Sequence, residues 1–188
     1  AYILDNSESE VLITSRARQA VAMEAIAMVS RIRLCLVVDG TPDVIGDPSG
    51  RVVDYATAVA AFPATPIADE CAGGAMLYAS GTTGRPKGIL RDLPDVPPDP
   101  PQPLFQFLTN LWHYRPDMIY LSPAPLYHSA PIGFSLGVQS LGGTVVVMEK
   151  FDPIDALAAI EHHRITHSQW VPTMFVRMLK LEQEERDR

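Results

Sequence analysis

Short runs of apolar, largely β-branched residues, set apart by segments of helical length, constrain this chain more than any other feature. Leu34-Cys35-Leu36-Val37-Val38 is apolar at every position and stops at Asp39-Gly40, the pattern of a fully buried strand closed by a turn. Upstream, Val11-Leu12-Ile13-Thr14 is β-like, and Ser15 is placed to cap a helix to about Val29 with Ala17, Val21, Ala25 and Met28 as its apolar stripe. Asp54 then precedes an alanine-rich helix to about Phe62, and a strand is predicted over Ala75 to Tyr78, with Met76-Leu77-Tyr78 reading as its buried end. Farther on, Leu104 to Trp112 has helical spacing and Met118 to Leu121 reads as a strand. Gly143 to Met148 reads as another, Asp152-Pro153 opens a helix to about His162, and Ile165 to Trp170 returns as a strand. Strand, helix, strand in repetition predicts an α/β fold, a layered and mostly parallel sheet with flanking helices.

Residues 1–188 form one domain on this reading, since 188 residues of which 47% are hydrophobic suffice for one sizeable core. The segment PDVPPDPPQP holds six of the 17 prolines, which predicts an exposed loop over about 93–103 inside that domain. A formal net charge of -7 argues against nucleic-acid or anionic-membrane partners, so any anion site has to be a local concentration of N–H groups and a few cations. Cys35 and Cys71 lie far apart without metal-ligand spacing, which suits reduced thiols and a cytoplasmic location. No run reaches the ~18 apolar residues of a membrane span, and no basic-then-apolar leader is present at the start. The chain opens at Ala1 directly into patterned sequence, as an excised or processed piece would.

The chemistry concentrates in YASGTTGRPKGIL, residues 78–90. Glycines allow backbone N–H groups to approach a ligand, Ser80, Thr82 and Thr83 add hydroxyl donors, and Lys87 supplies one cation, a set that suits phosphate oxygens. A solvated loop rich in Gly and Thr is the alternative for a bare run of this composition, and the order S-G-T-T-G-x-P-K-G speaks against it. The usual P-loop requires G-x-x-x-x-G-K-[ST]. Here Pro86 separates Arg85 from Lys87, and Gly88 stands where a magnesium-binding hydroxyl would be.

Three further constellations compete. GFSLG, residues 133–137, matches the G-x-S-x-G nucleophile elbow with Ser135 as a hydrolase nucleophile. The elbow needs a strand running straight into the serine, whereas Pro131-Ile132-Gly133 precedes Ser135, and the stretch reads better as a helix. HHRITH places His162, His163 and His167 close in sequence, but a helix ending near His163 and a strand beginning near Ile165 would make them diverge. Basic residues at a helix C-terminus are the simpler account. In YLSPAPLYHSAP, His128 follows a strand among apolar and small residues. There it is either a satisfied core or turn histidine or a neutral imidazole that orients a carboxylate.

The S-G-T-T-G-x-P-K-G stretch resembles the phosphate-binding signature of the adenylate-forming enzymes, the superfamily of acyl-CoA synthetases, luciferases and peptide-synthetase adenylation domains. P-L-Y-H at 125–128 resembles the second signature of that family, and residues 141–181, with the strand GGTVVVM, the helix opening FDP and the turn VPTMF, look like its acyl-CoA synthetase branch. The resemblance implies part of the large N-terminal domain of a fatty-acid–CoA ligase. Such an enzyme activates a carboxylic acid with ATP to acyl-AMP and passes the acyl group to CoA. It further implies that Ser80, Gly81, Thr82, Thr83, Gly84 and Lys87 hold ATP phosphates, with Lys87 stabilising the leaving group, and that His128, Tyr127 and Trp170 meet the acid. ATP, Mg2+ and CoA are the implied cofactors and co-substrates. Ala79 replaces the hydroxyl residue often found in the family, so no magnesium ligand is carried onto it. The Y-G-x-T-E stretch and the small C-terminal domain have no counterpart before Arg188, so the 188-residue chain is expected to be inactive alone. A non-catalytic nucleotide-binding module is the alternative.

Overall fold

A computed structural model describes residues 1–40, 49–79, 84–93, 95–98 and 103–187, with only the backbone of 103–105. The chain divides into two compact units, Ala1–Pro98 and Asp99–Arg188.

The first unit runs α1 (Tyr2–Asn6), β1 (Val11–Ser15), a 3-10 turn (Arg16–Arg18), α2 (Gln19–Met28), β2 (Leu34–Val38), β3 (Val52–Asp54), α3 (Tyr55–Ala60), β4 (Leu77–Ala79) and β5 (Lys87–Ile89). β2 is the middle of a three-stranded parallel sheet, paired with β1 from Val11↔Leu34 to Ser15↔Val38 and with β3 from Cys35↔Val52 to Val37↔Asp54. Cys35 and Val37 point into a core with Ile26, Val29, Ile32 and Val52, against which Leu4 and Leu12 pack. Leu34, Leu36 and Val38 are half-buried, so this strand is fully enclosed on one face only. The buried side of α2 is Ala22 and Ile26, while Val21 and Met28 are exposed. The stripe predicted from Ala17, Val21 and Met28 is therefore out of phase, because the 3-10 turn delays the α-helix to Gln19 and rotates it. Asp54 caps α3: its carboxylate accepts from the Thr57 hydroxyl at 2.7 Å and the Thr57 amide at 2.8 Å. The hydroxyl bond foremost, then the amide bond, holds that carboxyl below the usual range.

The second unit runs α4 (Pro103–Trp112), β6 (Ile119–Ser122), α5 (Ser129–Ser140), β7 (Thr144–Val147), α6 (Pro153–His163), β8 (His167–Ser168), α7 (Pro172–Leu179) and α8 (Gln183–Arg186). Its sheet has the order β7-β6-β8, parallel throughout. Tyr120, Leu121 and Ser122 of central β6 are all buried, as a strand covered on both faces requires. Leu108, Tyr114, Met118, Tyr120 and Val138 form the core, and burying a side chain such as Leu108 contributes about 1.5–3 kcal/mol. Pro131, Ser135 and Val138 give α5 its buried stripe at helical spacing. α6 starts where Asp152 accepts from the amides of Ile154 and Asp155, with Pro153 in the first turn, and stops at Arg164 in the left-handed conformation. Two expectations differ here. The predicted strand over Ile165 to Trp170 contracts to His167–Ser168, since only Tyr120↔His167 and Leu121↔Ser168 pair. The turn read at VPTMF is the first part of α7, for which Pro172 is pre-organised at the helix start.

Candidate functional site

The S-G-T-T-G-x-P-K-G stretch is entered from β4 and left through β5, which pair antiparallel as Leu77↔Ile89, Tyr78↔Gly88 and Ala79↔Lys87. Ser80, Gly81, Thr82 and Thr83 lie outside the described residues. Gly84 has φ +110, a backbone conformation L side chains rarely adopt, so glycine is required where the chain turns back toward β5. Lys87 opens β5 and is exposed. β4 is half-buried at Leu77 and Tyr78 rather than the buried strand expected from Met76-Leu77-Tyr78, because among the described residues it pairs with β5 alone, outside both parallel sheets. Tyr2 touches the same hairpin: its hydroxyl donates to the Pro86 carbonyl at 3.1 Å and the Arg85 guanidinium lies over its ring at 5.3 Å.

In the second unit, His128 is the N-cap residue of α5 with no side-chain cap bond. It is exposed and stacks on Tyr127 at 4.4 Å between ring centres, and Tyr127 is 83% exposed. The core-histidine alternative therefore does not describe His128. Trp170 lines a cavity of about 430 Å³ with Trp112, Tyr114, Phe134, His167 and Phe175, and neither Tyr127 nor His128 borders it. Burial raises the Tyr114 phenol to about 12. Tyr120 is raised further by burial and by neighbouring Tyr114, against an opposing hydrogen bond with the Gln169 backbone.

Ser135 sits inside α5, buried at 6% exposure, and its Oγ has no hydrogen-bond partner among the described residues. No strand delivers it, so the elbow geometry of a serine hydrolase is absent. The histidines also separate. His162 and His163 occupy the last turn of α6, whereas His167 on β8 places Nε2 3.0 Å from the Trp112 carbonyl and Nδ1 2.8 Å from Thr166 Oγ1. A carbonyl only accepts, so Nε2 carries the proton. Among the described residues no three His, Cys, Asp or Glu side chains converge to hold a metal ion. His167, weighed in sequence as a metal ligand, is instead a partner of the Trp112 carbonyl, and Tyr2 and Tyr78 are the neighbours that sequence reasoning missed. Only Tyr78, next to the glycine-rich run, carried a signal.

The class this architecture defines is the layered α/β proteins, here with a glycine- and hydroxyl-rich stretch between β4 and the exposed Lys87. Comparison with known proteins narrows the class: the chain belongs to the AMP-binding enzyme family, which it matches over residues 1–188. It is 33% identical over 123 residues to 4-coumarate–CoA ligase-like 3 of Oryza sativa subsp. japonica, covering 62% of this chain and 20% of that protein. Medium/long-chain-fatty-acid–CoA ligase FadD8 of Mycobacterium tuberculosis is 27% identical over 187 residues, covering 95% of this chain and 31% of the ligase. The inhibitor-bound N-terminal domain of FACL13 from Mycobacterium tuberculosis shares the fold at a TM-score of 0.68 and 23% identity, over 100% of this chain and 43% of that one. The chain thus spans a fifth to a third of the length of these two curated relatives. Among the described residues, no helix is long and apolar enough to cross a membrane.

Proposed function

We propose that the chain forms the ATP-phosphate and acid-binding part of an ATP-dependent acid–CoA ligase, all within the N-terminal domain of a longer polypeptide. In the parent reaction a carboxylate attacks the ATP α-phosphate and expels pyrophosphate, and the CoA thiol then displaces AMP from the acyl adenylate. Lys87 carries this reading: an exposed ammonium at the end of S-G-T-T-G-x-P-K-G, in a chain that matches the AMP-binding family from end to end. Its role is to neutralise charge developing on the departing pyrophosphate, with Ser80, Gly81, Thr82, Thr83 and Gly84 cradling the same oxygens. The described residues supply no magnesium-binding cluster, and no step is assigned to that ion.

His128 and Tyr127 face the carboxylate end of the acid, and Trp170 lines its apolar part. The acid is a fatty acid on this reading, as the name of the FadD8 relative suggests. An aryl acid is the second reading, favoured by the aromatic rings of Trp112, Tyr114, Phe134, Trp170 and Phe175 around one cavity and by the name of the 4-coumarate–CoA ligase-like relative. Cysteine usage supports a cytoplasmic location. The test is acid-dependent ATP–pyrophosphate exchange in the full-length parent, where Lys87→Met slows adenylate formation about 10–1000-fold with folding intact. Unchanged exchange refutes the assignment.

A further inference from the structure

We propose that Tyr2 and Tyr78 form a clasp that fixes the position of Lys87, making both tyrosines positioning residues; the proposal rests on the phosphate reading of Lys87 given above. A lysine ammonium rides on a flexible four-carbon stem, so the region it can serve is set by where its Cα is held. Here the Cα belongs to a hairpin of three residues per strand, and an isolated two-stranded hairpin is marginal in water. Every residue of β5 is exposed, so burial does not hold that strand in place.

The tethers come from α1 and reach both limbs of the hairpin. On the β4 limb, the Tyr78 hydroxyl donates to Asn6 Oδ1 at 2.8 Å, with the Ile3 carbonyl a second acceptor at 3.4 Å. On the β5 side, the Tyr2 hydroxyl donates to the Pro86 carbonyl, and Arg85 stacks over the Tyr2 ring. The Pro86 carbonyl and the Lys87 amide share one planar peptide unit, so holding the carbonyl orients the residue that follows. α1 is itself anchored, since Leu4 packs on the core of Ile26, Val29 and Ile32. Gly88 completes the arrangement: a Cβ there would press on the Met76 methyl and come within 3.2 Å of the Tyr78 ring. A side chain at this position would push Tyr78 away from Asn6.

The test uses Tyr2→Phe, Tyr78→Phe and Lys87→Met in the full-length parent, with amide hydrogen exchange and titration with inorganic pyrophosphate as readouts. Each tyrosine variant is expected to speed exchange at Lys87–Ile89 about two- to tenfold, the loss of one hydrogen bond, while β1 and β2 keep their rates. Pyrophosphate affinity falls by a similar factor in each tyrosine variant. In a Lys87→Met background the further change vanishes, because the tyrosines act through that ammonium. Unchanged exchange at the hairpin, or rates raised equally in β1 and β2, overturns the clasp. Affinity lost in Lys87→Met but retained in both tyrosine variants also overturns it while leaving the phosphate reading intact. Affinity indifferent to Lys87→Met overturns the phosphate reading and the clasp's role together.

Discussion

Ser135→Ala is expected to stabilise the second unit, and the sign follows from three opposing terms. Ser135 is buried in the middle of α5 and its Oγ has no hydrogen-bond partner among the described residues. Leaving a buried hydroxyl unpaired costs on the order of 1–3 kcal/mol, of which the lower end suffices here. A helix interior favours Ala over Ser by roughly 0.5 kcal/mol. Against these stands the loss of a few dispersion contacts at about 0.1–0.2 kcal/mol each. The net is a stabilisation of about 1 kcal/mol, which for a unit of this size raises Tm by roughly 4–8 °C. Both tryptophans, Trp112 and Trp170, lie in the second unit, so thermal or urea unfolding followed by tryptophan fluorescence reports on it. A destabilisation of about 1 kcal/mol or more would show that the hydroxyl is bonded and refute the reasoning. A fluorophosphonate adduct on Ser135 in the native chain would refute its burial and revive the hydrolase reading.

His128→Ala in the full-length parent is expected to raise the apparent KM for the carboxylic acid more than that for ATP, with Tm nearly unchanged because the side chain is exposed. Equal KM changes in steady-state kinetics would remove it from the acid site. Asp152→Ala deletes the acceptor of the Ile154 and Asp155 amides and should destabilise the second unit by about 1 kcal/mol in urea denaturation, with Asp152→Asn restoring most of it. At high pH, Tyr114 and Tyr120 are held neutral by burial, Tyr114 up to about 12. The native state therefore keeps protons that the unfolded state releases. Stability is intact below the ordinary tyrosine range near pH ~10 and falls as pH rises from there through the raised values. Urea midpoints measured across this window should decline, and Tyr114→Phe should flatten the decline.

The sequence by itself determined the α/β class, the family and most of the elements. Apolar runs such as Leu34–Val38 and the Asp152-Pro153 start of α6 are local signals, readable from side-chain type and capping chemistry. The order S-G-T-T-G-x-P-K-G likewise marked Lys87 before any fold was known, because close backbone approach and a cationic side chain are properties of the residues themselves. Tertiary structure decided which faces are buried. A short 3-10 turn rotated α2 so that Ala22 and Ile26 replaced Val21 and Met28, a phase no periodicity count over the whole segment detects. It also decided that Trp170 lies in a cavity apart from Tyr127 and His128, and that Tyr2 meets Pro86 across 84 positions of chain. Such contacts depend on loop closure between distant segments, whose outcome is written in packing rather than in any local pattern.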